Sequence, residues 1–147
     1  MILAVGRVDG KIVIMDVEKW KFKYSINAHG TEKSDQSEKS VNQMIQIRTP
    51  HVIPSPTFAS CGSDGKIKIW KKLHHHWTKI KKIGLSNTPV LSIATIQKKG
   101  GILDEYLISA SKNQCVNVYL IDQNYSHVMS INCGEKFVLN GIKVFSG

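Results

Sequence analysis

Three stretches of this chain carry one pattern, and that repetition limits the fold more than any single residue does. They are LAVGRVDGKIVIM (residues 3–15), FASCGSDGKIKIW (58–70) and LISASKNQCVNVY (107–119). The second follows the first by 55 residues, and the third follows the second by 49. In each, a short run of small and apolar residues leads into a turn, and an alternating run follows. Asp9-Gly10 and Asp64-Gly65 predict tight two-residue hairpins of type I′, in which both central residues take positive φ. Asn113 holds the aspartate's place in the third stretch. After the turns, Ile12 and Ile14, Ile67 and Ile69, and Val116 and Val118 recur at every second residue. That is the period of a strand with one face buried. Self-similarity at this spacing marks a repeat architecture.

Further strands complete the unit. FKYSI (22–26), WTKIKKI (77–83) and HVMSI (127–131) follow the three hairpins. VNQMIQI (41–47) and VLSIATI (90–96) precede the second and third. No segment shows a helical period with caps. The expected fold is therefore all-β, with units of four antiparallel strands at about 1–29, 41–83 and 89–131. FVLNGIKVF (137–145) would open a further unit. GTEKSDQSEKS (30–40) reads as a polar, mobile loop. RTPHVIPSP (48–56) carries three of the four prolines, which interrupt any ladder.

Composition narrows the class. An apolar share of 41% and a charged share of 21% suit a soluble globular chain rather than a disordered one. No apolar run approaches the roughly 20 residues that span a bilayer. The apolar start is too short for a secretory leader and lacks a basic segment, so an intracellular protein is expected. Cys61, Cys115 and Cys133 form no C-x-x-C pair, which suggests neither a disulfide framework nor a zinc site.

The net charge of +9 is unevenly placed. Between Gly65 and Leu103 there are nine lysines and no acid, while the rest of the chain balances. Lys66, Lys68, Lys71, Lys72, Lys79, Lys81 and Lys82 are the candidates for a basic partner-binding face. Such a face attracts nucleic acid, acidic membrane or acidic protein. Against phosphate recognition stands the scarcity of arginine, the residue whose planar fork suits it. Trp70 and Trp77 lie within the lysine run, an arrangement that combines phosphate neutralisation with base stacking. The repeat claims Trp70 for the core, which leaves Trp77 as the exposed platform.

Catalytic and ligand motifs are weaker. HHHW (74–77) invites a metal, but adjacent strand residues point to opposite faces and cap one ion poorly. A hairpin tip is the expected setting. Ser60, Ser63 and Ser109 are explained by the repeat, and no G-x-S-x-G occurs. His29 and His51 have no partner that sequence alone can name. GSDGKIKIW lacks the spacing of a phosphate loop. Asp104-Glu105 reads as a loop. No catalytic residue, metal or cofactor is expected.

Four-stranded units with a turn aspartate and a closing tryptophan resemble the WD-repeat β-propeller family. Its hallmark dipeptide survives in eroded form as Met15-Asp16, Trp70-Lys71 and Tyr119-Leu120. Ala28-His29-Gly30 stands where the family has Gly-His. The resemblance implies about three blades and a buried structural network of His29, Ser60, Asp64 and Trp70. Asp9, Asn113 and Tyr119 hold equivalent places in the other copies. Propellers close with about four to eight blades, so three imply a fragment or a ring completed by other polypeptide. Within the family, the order of Trp20, INAHG, the proline-rich loop and Trp77 is similar to the small propeller subunit of the outer COPII vesicle coat. That subunit also serves the nuclear-pore Y-shaped scaffold. This implies a non-enzymatic scaffold in transport from the endoplasmic reticulum to the Golgi. Its partners would be a larger coat subunit or scaffold nucleoporins, with peripheral membrane association through the coat. A generic WD-repeat adaptor in a nuclear or ribosome-assembly complex, binding RNA through the lysine face, is the alternative.

Overall fold

The structure, a computed structural model, describes residues 1–30, 39–49, 55–134 and 139–145. The described residues form strands and no helix. A first sheet holds β1 (Ile2–Gly6), β2 (Lys11–Asp16) and β3 (Lys21–Asn27). A second holds β4 (Val41–Ile47), β5 (Thr57–Gly62), β6 (Ile67–Leu73) and β7 (His76–Ile83). A third holds β8 (Val90–Gln97), β9 (Asp104–Ser111), β10 (Cys115–Leu120) and β11 (Ser126–Asn132). Within each sheet the strands lie in chain order and pair antiparallel. This is an all-β fold of three antiparallel blades, an incomplete propeller. Most of the two expected loops, residues 31–38 and 50–54, and with them His51, lies outside the described residues.

The expected type I′ hairpins do not form. β1 passes to β2 through residues 7–10, where the Gly10 N–H donates to the Arg7 carbonyl at 3.2 Å. Gly10 takes φ +82°, whereas Asp9 stays at negative φ. Residues 62–65 repeat this, with the Gly65 N–H donating to the Gly62 carbonyl at 3.2 Å and Gly65 at φ +73°. Each is a type I turn followed by one left-handed residue. The cause is the aspartate itself. The Lys11 N–H donates to Asp9 Oδ1 at 3.2 Å, and the Lys66 N–H to Asp64 Oδ1 at 3.1 Å. Such an Asx-turn holds the aspartate at negative φ and passes the left-handed position to the next residue. Gln114 fills that place in the third sheet at φ +64°.

Gly10 is also a point of close approach. Its carbonyl accepts the Ala28 and His29 N–H groups, both at 2.9 Å. A Cβ there would collide with the His29 carbonyl and come within 2.7 Å of that of Lys39. Gly10→Ala is therefore expected to cost more than the roughly 1–2 kcal/mol of left-handed strain alone. Urea unfolding measures this, and a negligible change would show that the turn has room to shift.

The sheets face one another across two apolar layers. Ile12 and Ile14 of the first sheet meet Phe58 and Trp70 of the second. Ala59, Cys61, Ile67 and Ile69 of the second meet Ile93, Leu107 and Tyr119 of the third. The middle sheet is thus covered on both faces. That explains why β5 is buried throughout and why its centre, Ala59-Ser60-Cys61, is built from small side chains. Residues 139–145, expected within a further unit, form no ladder. They lie beside β8, where the Ile142 N–H donates to Ser92 Oγ at 3.1 Å. Residues 137 and 138 lie outside the described residues.

Candidate functional site

A polar cluster joins the first and second sheets. The loop after β3 delivers His29, β5 delivers Ser60, the turn before β6 delivers Asp64, and β6 delivers Trp70. Trp70 Nε1–H donates to Ser60 Oγ at 2.9 Å. Ser60 Oγ lies 2.8 Å from His29 Nε2, and His29 Nδ1 lies 2.8 Å from Asp64 Oδ1. Because the carboxylate can only accept, Nδ1 carries the proton toward it. In neutral His29, Nε2 then accepts the Ser60 hydroxyl proton, and every donor in the chain points the same way. The other carboxylate oxygen accepts the Gly30 N–H at 3.2 Å and pairs with Lys68 Nζ at 3.4 Å. Lys68 Nζ also donates to the Ala28 carbonyl. Loop, turn and two strands are therefore tied at one point.

Burial alone would raise the pKa of Asp64. The hydrogen bond from His29, its charge when protonated, the Gly30 N–H and the Lys68 ammonium outweigh that and hold it at about 2. Lys68 is pushed down by burial, and Asp64 offsets part of the effect. Ser60, His29 and Asp64 thus have the connectivity of a hydrolytic triad. Ser60 is 0% exposed, however, and its oxygen already serves Trp70 and His29. A substrate carbonyl has no path to it. The neighbouring Cys61 thiol is raised to about 12 by burial, which leaves it unreactive.

The other two copies lack this chain of bonds. Asp9 holds its own turn and pairs with Arg7 at 3.0 Å, between strands that have Val5 (β1) and Met15 (β2) at the Ser60 and Trp70 places. Asn113 is exposed in its turn. Tyr119 is buried, which raises its phenol pKa, and Ser109 lies nearby and partly offsets the shift. The Ser109 hydroxyl closes no hydrogen bond of acceptable geometry among the described residues. Ser86 and Asn87 approach Gly65 as His29 approaches Gly10, so no histidine reaches this place. The gap left there, about 10 Å³ among Ser109, Ser111, Asn117 and Tyr119, cannot hold an imidazole. Ser60→Ala is expected to cost about 1–3 kcal/mol for each partner it strands, while Ser109→Ala is neutral or mildly stabilising. Parallel denaturant titrations of the two variants check this, and equal losses would contradict it.

The seven candidate lysines do not share one surface. Lys68 is 9% exposed and belongs to the polar cluster. Lys66 reaches the Ser86 carbonyl at 3.2 Å and Asn87 Oδ1 at 3.0 Å. In the β6–β7 ladder Lys79 stands opposite Trp70 and Lys82 opposite Lys68, on the face toward the first sheet. Lys81 stands opposite Ile69, on the other face, and Lys71 shares Ile69's face by alternation. Lys72 stands opposite Trp77 near the strand end.

Trp77, expected as the exposed stacking platform, packs edge-on against Phe58 with ring centroids 4.8 Å apart. Its position opposite Lys72 turns it toward the first sheet, onto the face that carries Phe58 and beside Tyr24 of β3. The exposed indole is Trp20, at 70%. His74 and His75 form the tip between β6 and β7, with His74 at φ +54°. His76 turns instead to the Tyr24 ring. Among the described residues no three His, Cys, Asp or Glu side chains gather as metal ligands.

No protein-family model matches this sequence, and no curated protein matches it significantly. Among solved structures, the chain is similar to the crystal structure of Saccharomyces cerevisiae Sqt1, a WD-repeat protein, with a TM-score of 0.67 and 15% sequence identity. The match covers 90% of this chain and 35% of that one, so this chain spans about a third of its neighbour's length. At that identity the likeness speaks for the fold alone: these three sheets are the blades of a WD-repeat-like β-propeller.

Proposed function

We propose that this chain is a non-enzymatic scaffold that presents rigid sheet faces and edges to partner proteins. One observation carries this reading. The polar cluster that looks most like chemistry is consumed in tying two sheets together, while large apolar side chains stand exposed on the outer ones. Leu3 and Phe22 on the first sheet, and Val128, Met129 and Ile131 on the third, are 41–63% exposed. Exposed apolar groups on a stiff support are what interaction surfaces are made of.

The finer reading is a structural subunit of the COPII coat or of the nuclear-pore scaffold, acting at the endoplasmic-reticulum surface or the pore. Its support is the order of sequence elements from Trp20 to Trp77. A larger, helical-solenoid coat subunit would be the partner, and blade sharing would stiffen a cage edge. Affinity purification tests both levels. Recovery of such a subunit is the expected result. Recovery of ribosomal RNA precursors, lost steeply with salt and with Lys79→Glu and Lys81→Glu, would instead favour an RNA adaptor. The packing of Trp77 and the division of the lysines weigh against that second outcome.

A further inference from the structure

The lysines that share no face do share an edge. β7 lies outermost in the middle sheet, and among the described residues it pairs only with β6. Its ladder shifts where Lys79 stands opposite Trp70 and Lys81 opposite Ile69, which leaves Ile80 as an extra residue. On a regular strand, residues two apart share a face. The bulge breaks that rule, so Lys79 and Lys82 point toward the first sheet and Lys81 toward the third. Ile80, 46% exposed, lines a cleft of about 350 Å³ that it shares with Lys71 and with Ile121 and Tyr125 of the third sheet's hairpin.

The charge on this edge is uncompensated. Lys79, Lys81 and Lys82 close no ion pair among the described residues, and neither do Lys71 and Lys72. Lys79 and Lys82 are near enough to Lys68 to disfavour its charge. The outer strands of the other sheets differ. On β3, Lys23 pairs with Asp16 at 3.3 Å, and β11 carries no lysine. Lysine on an edge repels a second copy of the same edge. It attracts a strand that carries the opposite charge.

We propose that β7 accepts an acidic, extended segment of a partner protein as a fifth strand of the middle sheet, antiparallel to β7. A flat polyanion reaches one face of the sheet at a time. An added strand reaches both, because its neighbouring side chains alternate. Two adjacent acidic residues meet Lys81 and Lys79, as adjacent Ile69 and Trp70 do on β6. The next residue of the segment stands opposite Thr78, the ladder partner of Lys71, and faces the third sheet. There the cleft offers Ile80, Ile121 and Tyr125 to an apolar side chain. Asp122, the one acid among its lining residues, disfavours a carboxylate inside it. The order sought is therefore acid, acid, apolar, with backbone bonds supplying affinity and side chains the choice. This rests on the scaffold reading and names one kind of segment that a partner presents. It can fail in a peptide titration while co-purified partners still support a scaffold.

The test uses the full chain and a blocked peptide with the core Glu-Glu-Ile-Glu between threonines. Saturation with the peptide is expected to slow exchange of the outward β7 amides by about tenfold or more and to leave β3 and β11 unchanged. Lys79→Glu together with Lys81→Glu should weaken binding by about tenfold or more. Lys98→Glu together with Lys99→Glu, in the exposed turn between β8 and β9, should not. Methylating alternate peptide nitrogens should abolish binding in one phase of the alternation and spare it in the other, because only one set faces β7. Absence of binding at millimolar peptide overturns the proposal. So does equal loss from both lysine pairs, which would make the attraction a matter of net charge. An oligouridylate of the same charge that binds as tightly without protecting β7 would assign the lysines to a polyanion, and overturns it too.

Discussion

Asp64→Ala is expected to remove about 3 kcal/mol of folding stability, at the lower end of the cost of breaking one side of a buried ion pair. The lower end applies because the carboxylate retains 15% exposure. Four groups lose their acceptor at once: His29 Nδ1–H, the Gly30 and Lys66 N–H groups, and the Lys68 ammonium. Lys68 would remain buried without its counter-charge. Small domains have only about 5–15 kcal/mol in total, so the variant should melt many degrees lower.

The same residue sets an acid dependence. Its folded pKa of about 2 lies below its ordinary value near 3.8. The contribution is therefore fully present above about pH 4 and is lost as the pH falls toward 2. The difference amounts to roughly 2 kcal/mol. Urea titrations of the wild type and of Asp64→Asn at pH 5, 4, 3 and 2 would show it. The gap between the two proteins should narrow over the acid range. A constant gap would mean that Asp64 is not ionised in the folded state as described.

Trp70→Ala is expected to be comparably damaging, at about 3–5 kcal/mol for truncating a large buried aromatic. The indole is 3% exposed and stacks on Phe58 at 6.1 Å with the planes 20° apart. Its N–H is also one of the two bonds of Ser60. Trp70→Phe should lose less, because it keeps most of the apolar contact. Met15→Ala is the control: Met15 is half-buried at the equivalent place, on the face of the first sheet turned away from the second, and should cost under about 1 kcal/mol. Guanidinium unfolding ranks the three. Similar losses for Trp70→Ala and Met15→Ala would show that the layer between the sheets is not where the stability resides.

Much of this was readable in one dimension. Alternation at Ile12 and Ile14, Ile67 and Ile69, and Val116 and Val118 located three strands because side-chain direction on a strand follows from covalent geometry alone. Asp-Gly located the turns for a similarly local reason. Their type differs from the type I′ expected, because the aspartate carboxylate bonds the N–H two residues on and leaves only the following residue left-handed. The family resemblance brought His29, Ser60, Asp64 and Trp70 together on paper. Nothing in the spacing of residues 29 and 64 could have done so, since they lie 35 positions apart with β4 and β5 between them.

Lys68 and Trp77 mark where local reading stops. A lysine in an alternating strand reads as solvent-facing, and an outer-strand tryptophan beside lysines reads as a stacking surface. Lys68 is buried and Trp77 half-buried because the first sheet lies against that face: Lys68 meets Asp64 and the Ala28 carbonyl, and Trp77 packs beside Phe58 and Tyr24. Alternation says that a strand has two faces and which residues share each. Which face meets a neighbour, and what that neighbour offers, depends on groups distant in the chain and exists only once the sheets have packed.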